Sequence, residues 1–166
     1  MQNTRPLLQS ELQRPDKITE IIAYGALIAL WIFIIAIYNR LPDTVPTHFD
    51  GSGNADGYGD RASVVIGPMV CTVLFMVLSI LQRKPHWFNY TTDITPENAL
   101  RQYTVAVKML RMLKLSIVVI FGLIEFHTYK SAVGLDIVPG EYLILAVLAL
   151  VYIPVFYFLI QSSKNT

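Results

Sequence analysis

Charge is scarce in this chain. Only 15% of its 166 residues are Asp, Glu, Lys or Arg, against about 25% in ordinary soluble domains. A water-soluble fold of this size needs more polar surface than that. Cysteine is scarcer still. The single Cys71 excludes a disulfide scaffold, and inside an apolar stretch it reads as a small packing residue. A formal net charge of +1 gives no global reason to expect nucleic acid. No internal repeat is visible. No nucleophile–base pair, metalloprotease helix or phosphate loop is present. What is abundant is apolar: 54% of the residues are hydrophobic, too many for a disordered chain.

The expected fold class is therefore an all-α integral membrane protein, a single domain over residues 1–166. Ile21 to Tyr38, Ala62 to Leu81 and Tyr142 to Ile160 are uncharged or nearly so. Each approaches the roughly 20 helical residues that cross a bilayer core, and helix is forced because lipid offers backbone groups no partner. Pro154 in the last run should kink it or sit near its end. A fourth span is expected around the shorter run Leu115 to Ile124. Lys108, Arg111 and Lys114 precede it on one face, and their stems can lie along apolar surface while the heads reach the headgroups. Thr95 as N-cap with Pro96 and Glu97 behind it predicts that this helix starts near residue 96. From there to Tyr129 it would run about 51 Å, so its first part must project into water or break from the rest. The reading is a four-transmembrane-helix bundle with spans at about 19–38, 62–82, 108–128 and 141–161.

Ten of the 13 Lys and Arg fall on the side of the two termini and the second connection, so both ends should be cytoplasmic. On the other face acids, Asp136 among them, outnumber bases by four. No cleavable signal peptide is expected, since the first apolar run starts late and is too long.

The external connection, residues 39–61, reads NRLPDTVPTHFDGSGNADGYGDR. A loop this long is usually functional or disordered. Leu41, Val45, Phe49 and Tyr58 could pack it down as an ordered cap. The candidate ligand-binding residues are His48, Phe49, Asp50, Asn54, Asp56, Gly57 and Asp60, with Glu125 near the outer end of the third span. Asp50, Ser52 and Asn54 match the opening of a calcium loop, but Ala55 and Arg61 occupy positions that need Gly and Glu, which excludes an EF-hand. A looser cation site on Asp50, Asn54, Asp56 and Asp60 stays open, as do a two-histidine zinc site with His127 and plain Asx-turns. No cofactor is implied. Glu125 is either a functional intramembrane acid or one that reaches the headgroups. Lys108, Arg111 and Lys114 are positive-inside anchors or a docking face for an acidic cytoplasmic partner.

Leu41, Pro42, Pro46, His48, Phe49, Gly53, Asp56, Gly57 and Arg61, set directly after a first apolar run, carry a resemblance. They resemble the pattern of a bacterial integral-membrane domain of unknown function, shared with the N-terminal part of the immunity protein for the Sdp (sporulation-delaying) toxin. Asn89 to Tyr103 is similar to the cytoplasmic connection of related four-span proteins. The resemblance implies a bacterial cytoplasmic-membrane protein and, in the immunity protein, protection against a membrane-active peptide and capture of a repressor. Three functions follow as expectations. The first is a non-catalytic membrane protein that binds an extracytoplasmic peptide or other ligand. The alternatives are a small oligomeric transporter or channel component, and a membrane enzyme or cation-binding protein that uses His48 and the loop aspartates.

Overall fold

A computed structural model of the chain describes residues 5–8, 10, 12–135 and 139–164; Asp136 lies outside them. The order is helix α1 (Arg14–Tyr38), strands β1 (Thr44–Phe49) and β2 (Ala55–Asp60), a 3-10 turn (Arg61–Val65), helix α2 (Ile66–Leu81), a second 3-10 turn (Pro85–Trp87), and helices α3 (Ala99–Ala132) and α4 (Gly140–Ser163). The protein is mostly helical, and three of its helical segments, α1, Arg61–Leu81 and α4, are long and apolar enough to cross a membrane. These match three of the expected spans. The third helix, α3, is not among these three.

Helix α1 opens on a local signal: the Asp16 carboxylate accepts from the Gln13 backbone N–H at 2.8 Å, and Pro15 sits where a missing N–H does no harm. Helix α3 keeps the anticipated length of 34 residues but starts at Ala99, three residues later than the Thr95–Pro96 signal predicts. Thr95 gives its N–H to the Asn98 side chain at 3.0 Å, and Asn98 in turn donates to the Asp93 carbonyl at 3.0 Å. That turn consumes the capping signal before the helix begins. The helix then continues without the break considered above. Pro154 lies inside α4, which also runs on unbroken.

Helix α3 is the hub. It packs on α1, α2 and α4, whereas α1 and α2 meet only briefly. Ala23 and Leu30 of α1, Cys71 and Phe75 of α2 and Val118 of α3 form the central core, so Cys71 does serve as a packing residue. The Trp31 indole N–H donates to Thr72 Oγ1 at 3.0 Å, one of the few links between α1 and α2.

The connection between α1 and α2, expected as an ordered loop in an all-α fold, is not wholly loop. It contains an antiparallel hairpin, β1 with β2. Local propensity did not favour it, because Pro46 interrupts one strand and ADGYGD is poor strand sequence. Tertiary packing decides. Leu41 and Val45 are buried with Ile34 and Ile37 of α1 and Val64, against Tyr129 and Ala132 of α3. The anticipated ordered cap is present in this sense.

Candidate functional site

The cap is pinned at its base and at its tip. At the base, the Arg61 backbone N–H donates to the Asp43 carbonyl at 2.9 Å. Its guanidinium lies 5.3 Å from the Tyr38 ring centroid and 3.6 Å from the Asp43 carboxylate. At the tip, Asp50 closes an Asx-turn, accepting from the N–H groups of Ser52 at 2.8 Å and Asn54 at 2.9 Å. The Asn54 N–H first, then that of Ser52, holds the Asp50 carboxyl below its ordinary pKa. Asp60 spends its carboxylate likewise, accepting from the Ala62 N–H at 2.7 Å to cap the following turn. Two of the four oxygens proposed for a looser cation site thus already serve backbone donors.

The tip reaches across to the start of α4. The Gly140 N–H donates to the Ser52 carbonyl at 3.0 Å, and the two backbones touch. A Cβ on Gly53 would stand 2.6 Å from the Gly140 nitrogen, and Gly53 also has φ of +83°. Only glycine meets both conditions. From α3, the buried His127 ring brings Nε2 to 3.3 Å from the Gly53 carbonyl and packs edge-on against Phe49, 4.7 Å between ring centres.

Under this bridge lies a cavity of about 400 Å³. The hairpin supplies Thr47, His48, Phe49 and Asp50; α3 supplies Ile124 and His127; α4 supplies Leu143, Ile144, Val147 and Leu148. One wall is therefore polar at its rim and the other wholly aliphatic. His48 is aimed by its register. It pairs with Gly57, and the ladder shifts on both sides of it, which is how a bulge redirects a side chain. Thr47 is extra on β1 and Asp56 on β2. The result is a His48 Nδ1–Asp56 Oδ1 contact of 2.5 Å on the exposed surface, with Gly57 making room, since a Cβ there would stand 3.0 Å from the His48 Cβ.

Of the residues proposed from sequence, His48, Phe49 and Asp50 line the cavity. Asp56 and Gly57 position His48, while Asn54 and Asp60 shape turns. Glu125 stands apart. It is only 5% exposed, and its carboxylate presses on Gly67 of α2, where any Cβ would collide with it. Among the described residues no cluster of three or more His, Cys, Asp or Glu is placed to hold a metal ion. The aliphatic wall on α4 and the Gly53–Gly140 contact went unanticipated. Gly140, just past Pro139 at the head of an apolar run, was the one signal available.

The opposite end of the bundle is built from charge. Lys108, Arg111 and Lys114 turn inward to α1. Lys114 is fully buried, with Nζ 2.5 Å from Glu20 Oε1 and 3.0 Å from Ser79 Oγ, and 4.7 Å from the Phe75 ring centroid. Arg111 donates to the Asp16 carbonyl at 2.9 Å, and Lys108 lies 3.5 Å from the Asp16 carboxylate.

Residues 25–72, the C-terminal half of α1, the cap and the first turns of α2, match a domain of unknown function, DUF1648. A relative from Archaeoglobus fulgidus, described as an uncharacterized protein, is 34% identical over 58 residues. That stretch is 35% of this chain and 32% of the relative, so the chain spans about a third of the curated relative it matches. No solved structure matches.

Proposed function

We propose that the protein is a non-catalytic, four-pass protein of a bacterial cytoplasmic membrane that binds an extracytoplasmic ligand under its hairpin cap. The observation that carries this is the cavity of about 400 Å³ with an aliphatic wall on α4 and His48 and Asp50 at its rim. Such a mixed lining suits an amphipathic ligand, an apolar side chain seated in the cavity and a polar or cationic group at the rim. A membrane-active peptide has that chemistry. The resemblance to the immunity-protein domain points the same way. The surplus of acids on the cap side would draw in a cationic peptide.

The proposed four-span topology draws support from α3, whose length of 34 residues exceeds a bilayer crossing. The distribution of Lys and Arg supports cytoplasmic termini. A cytoplasmic partner would meet a face whose three α3 cations are already engaged by α1, so exposed cations such as Arg83, Lys84 and Arg101 would have to serve it.

Photo-crosslinking tests the binding reading. A crosslinker at Leu143 in intact cells should capture an added cationic amphipathic peptide, and Phe49→Ala should weaken that capture. Equal capture from a position on the lipid face of α2, such as Met69, would remove the cavity from consideration. Glu125-dependent ion flux in liposomes would instead favour a channel.

A further inference from the structure

A second cavity, of about 440 Å³, opens at the end of the bundle that holds the chain termini. Its walls include Glu20 and Tyr24 of α1, Gln82, Arg83 and Pro85 after α2, and Arg111 of α3. Unlike the cap cavity, it contains buried polar atoms that form no hydrogen bond with the described residues. Among the described residues, Glu20 Oε2, Gln82 Oε1 and Arg111 Nε are buried and make no hydrogen bond; Glu20 Oε2 and Arg111 Nε approach each other to 3.5 Å as an ion pair. Leaving buried polar atoms in this state is unfavourable, so something normally fills the space. A water molecule's share of liquid volume is about 30 Å³, and the cavity is far larger than the one or two waters these atoms need.

The level of the cavity identifies the occupant. The apolar run of α1 begins just after Glu20, that of α2 ends at Leu81, and the uncharged run of α3 begins just after Lys114. Three helices therefore place the cavity where hydrocarbon gives way to headgroups. Among the described residues the charged lining is Arg83 and Arg111 against Glu20, whose other oxygen is taken by Lys114, so cations are in excess and an anion is favoured. Basic pockets between helices at this depth are where lipid headgroups bind. Gln82 Oε1 has no donor, and Glu20 Oε2 has only its ion pair with Arg111, so a ligand that donates is favoured as well.

We propose that this cavity is a binding site for a phospholipid headgroup of the adjacent leaflet. Its phosphodiester oxygens lie against Arg83 and Arg111, and an N–H or O–H donor faces Gln82 Oε1 and Glu20 Oε2. Phosphatidylethanolamine and phosphatidylglycerol carry both parts. Phosphatidylcholine carries the phosphodiester but no donor.

The test is native mass spectrometry of the full chain, delipidated and then titrated separately with phosphatidylethanolamine, phosphatidylglycerol, phosphatidylcholine and free glycerol phosphate. One molecule of either donor-bearing lipid should bind in preference to phosphatidylcholine and to glycerol phosphate. Arg83 is exposed, so Arg83→Gln should leave thermal unfolding unchanged while weakening retention about tenfold, the weight of one charge-assisted hydrogen bond. Gln82→Leu should narrow the preference over phosphatidylcholine. Equal binding of all three lipids with no response to Arg83→Gln would mean a solvent-filled cleft. Glycerol phosphate binding as tightly as lipid would overturn the membrane source. Either result refutes the proposal without touching the cap-side reading.

Discussion

The two ends of this bundle are closed by opposite means. The cap end relies on backbone geometry and short-range bonds: Asp50 and Asp60 serve N–H groups within four residues of themselves, and glycine meets glycine across Gly53 and Gly140. The terminal end relies on ion pairs between residues far apart in sequence, Glu20 with Lys114 and Asp16 with Lys108. The lesson is about what each end can tolerate. A turn that satisfies its own polar atoms leaves its apolar side chains free to line a cavity. A buried ion pair leaves its partners no such freedom, because removing one charge strands the other.

The largest effect should come from the charged end. Lys114→Met leaves Glu20 with a buried, weakly compensated carboxylate and should destabilise the protein by about 3–5 kcal/mol in denaturant unfolding in detergent, with most of the loss recovered in the Lys114→Met, Glu20→Met double variant. If the single variant unfolds like the native chain, the contrast between the ends is lost. Next comes Gly140→Ala, which forces the cap tip off α4 and should cost about 1–3 kcal/mol. Hydrogen exchange should show its damage confined to the hairpin and the first turns of α4.

A smaller effect separates the ends by pH. The Asp50 carboxyl is held below its ordinary value by the Asn54 and Ser52 N–H groups. A depressed carboxyl adds stability that is fully present above the unfolded-chain pKa, about 3.9 for Asp, and is lost as pH falls through the lower folded value. Exchange protection of the Ser52 and Asn54 amides should therefore be flat from pH 7 to about pH 5 and fall in stronger acid. Asp50→Asn should abolish that acid dependence. The smallest effect is Gly25→Ala in α1, where nothing lies within 4 Å of the added carbon. It should change stability by no more than about 0.5 kcal/mol and serves as the baseline for the other glycines.

The same contrast governs what could be read from sequence. Three of the helices were legible because apolar runs of span length leave one solution in lipid. Asx-turns at Asp50 were legible because the side chain and its partners lie within four residues. The hairpin was not, since ADGYGD carries no strand signal and its pairing depends on burying Val45 against α1 and α3. The inward turn of Lys108, Arg111 and Lys114 was not legible either. Their spacing by three fixes a shared face, but Asp16 and Glu20 lie about a hundred residues earlier in the chain, and no local rule brings them together. Within the cap site, His48, Phe49 and Asp50 stood out as rare residues in a patterned loop. Leu143, Ile144, Val147 and Leu148 are indistinguishable in sequence from any other membrane helix.

The backbone contact between Gly53 and Gly140 also constrains assembly. The hairpin is synthesised long before α4, yet its tip docks on the first residue of that helix. During biogenesis the loop must wait, tied at Arg61 but with Ser52 unmatched, until the last hydrophobic segment has left the insertion machinery. Truncation ahead of residue 140 should then yield inserted protein whose loop remains open to protease, and restoring the final helix, even as a separate polypeptide, should close it.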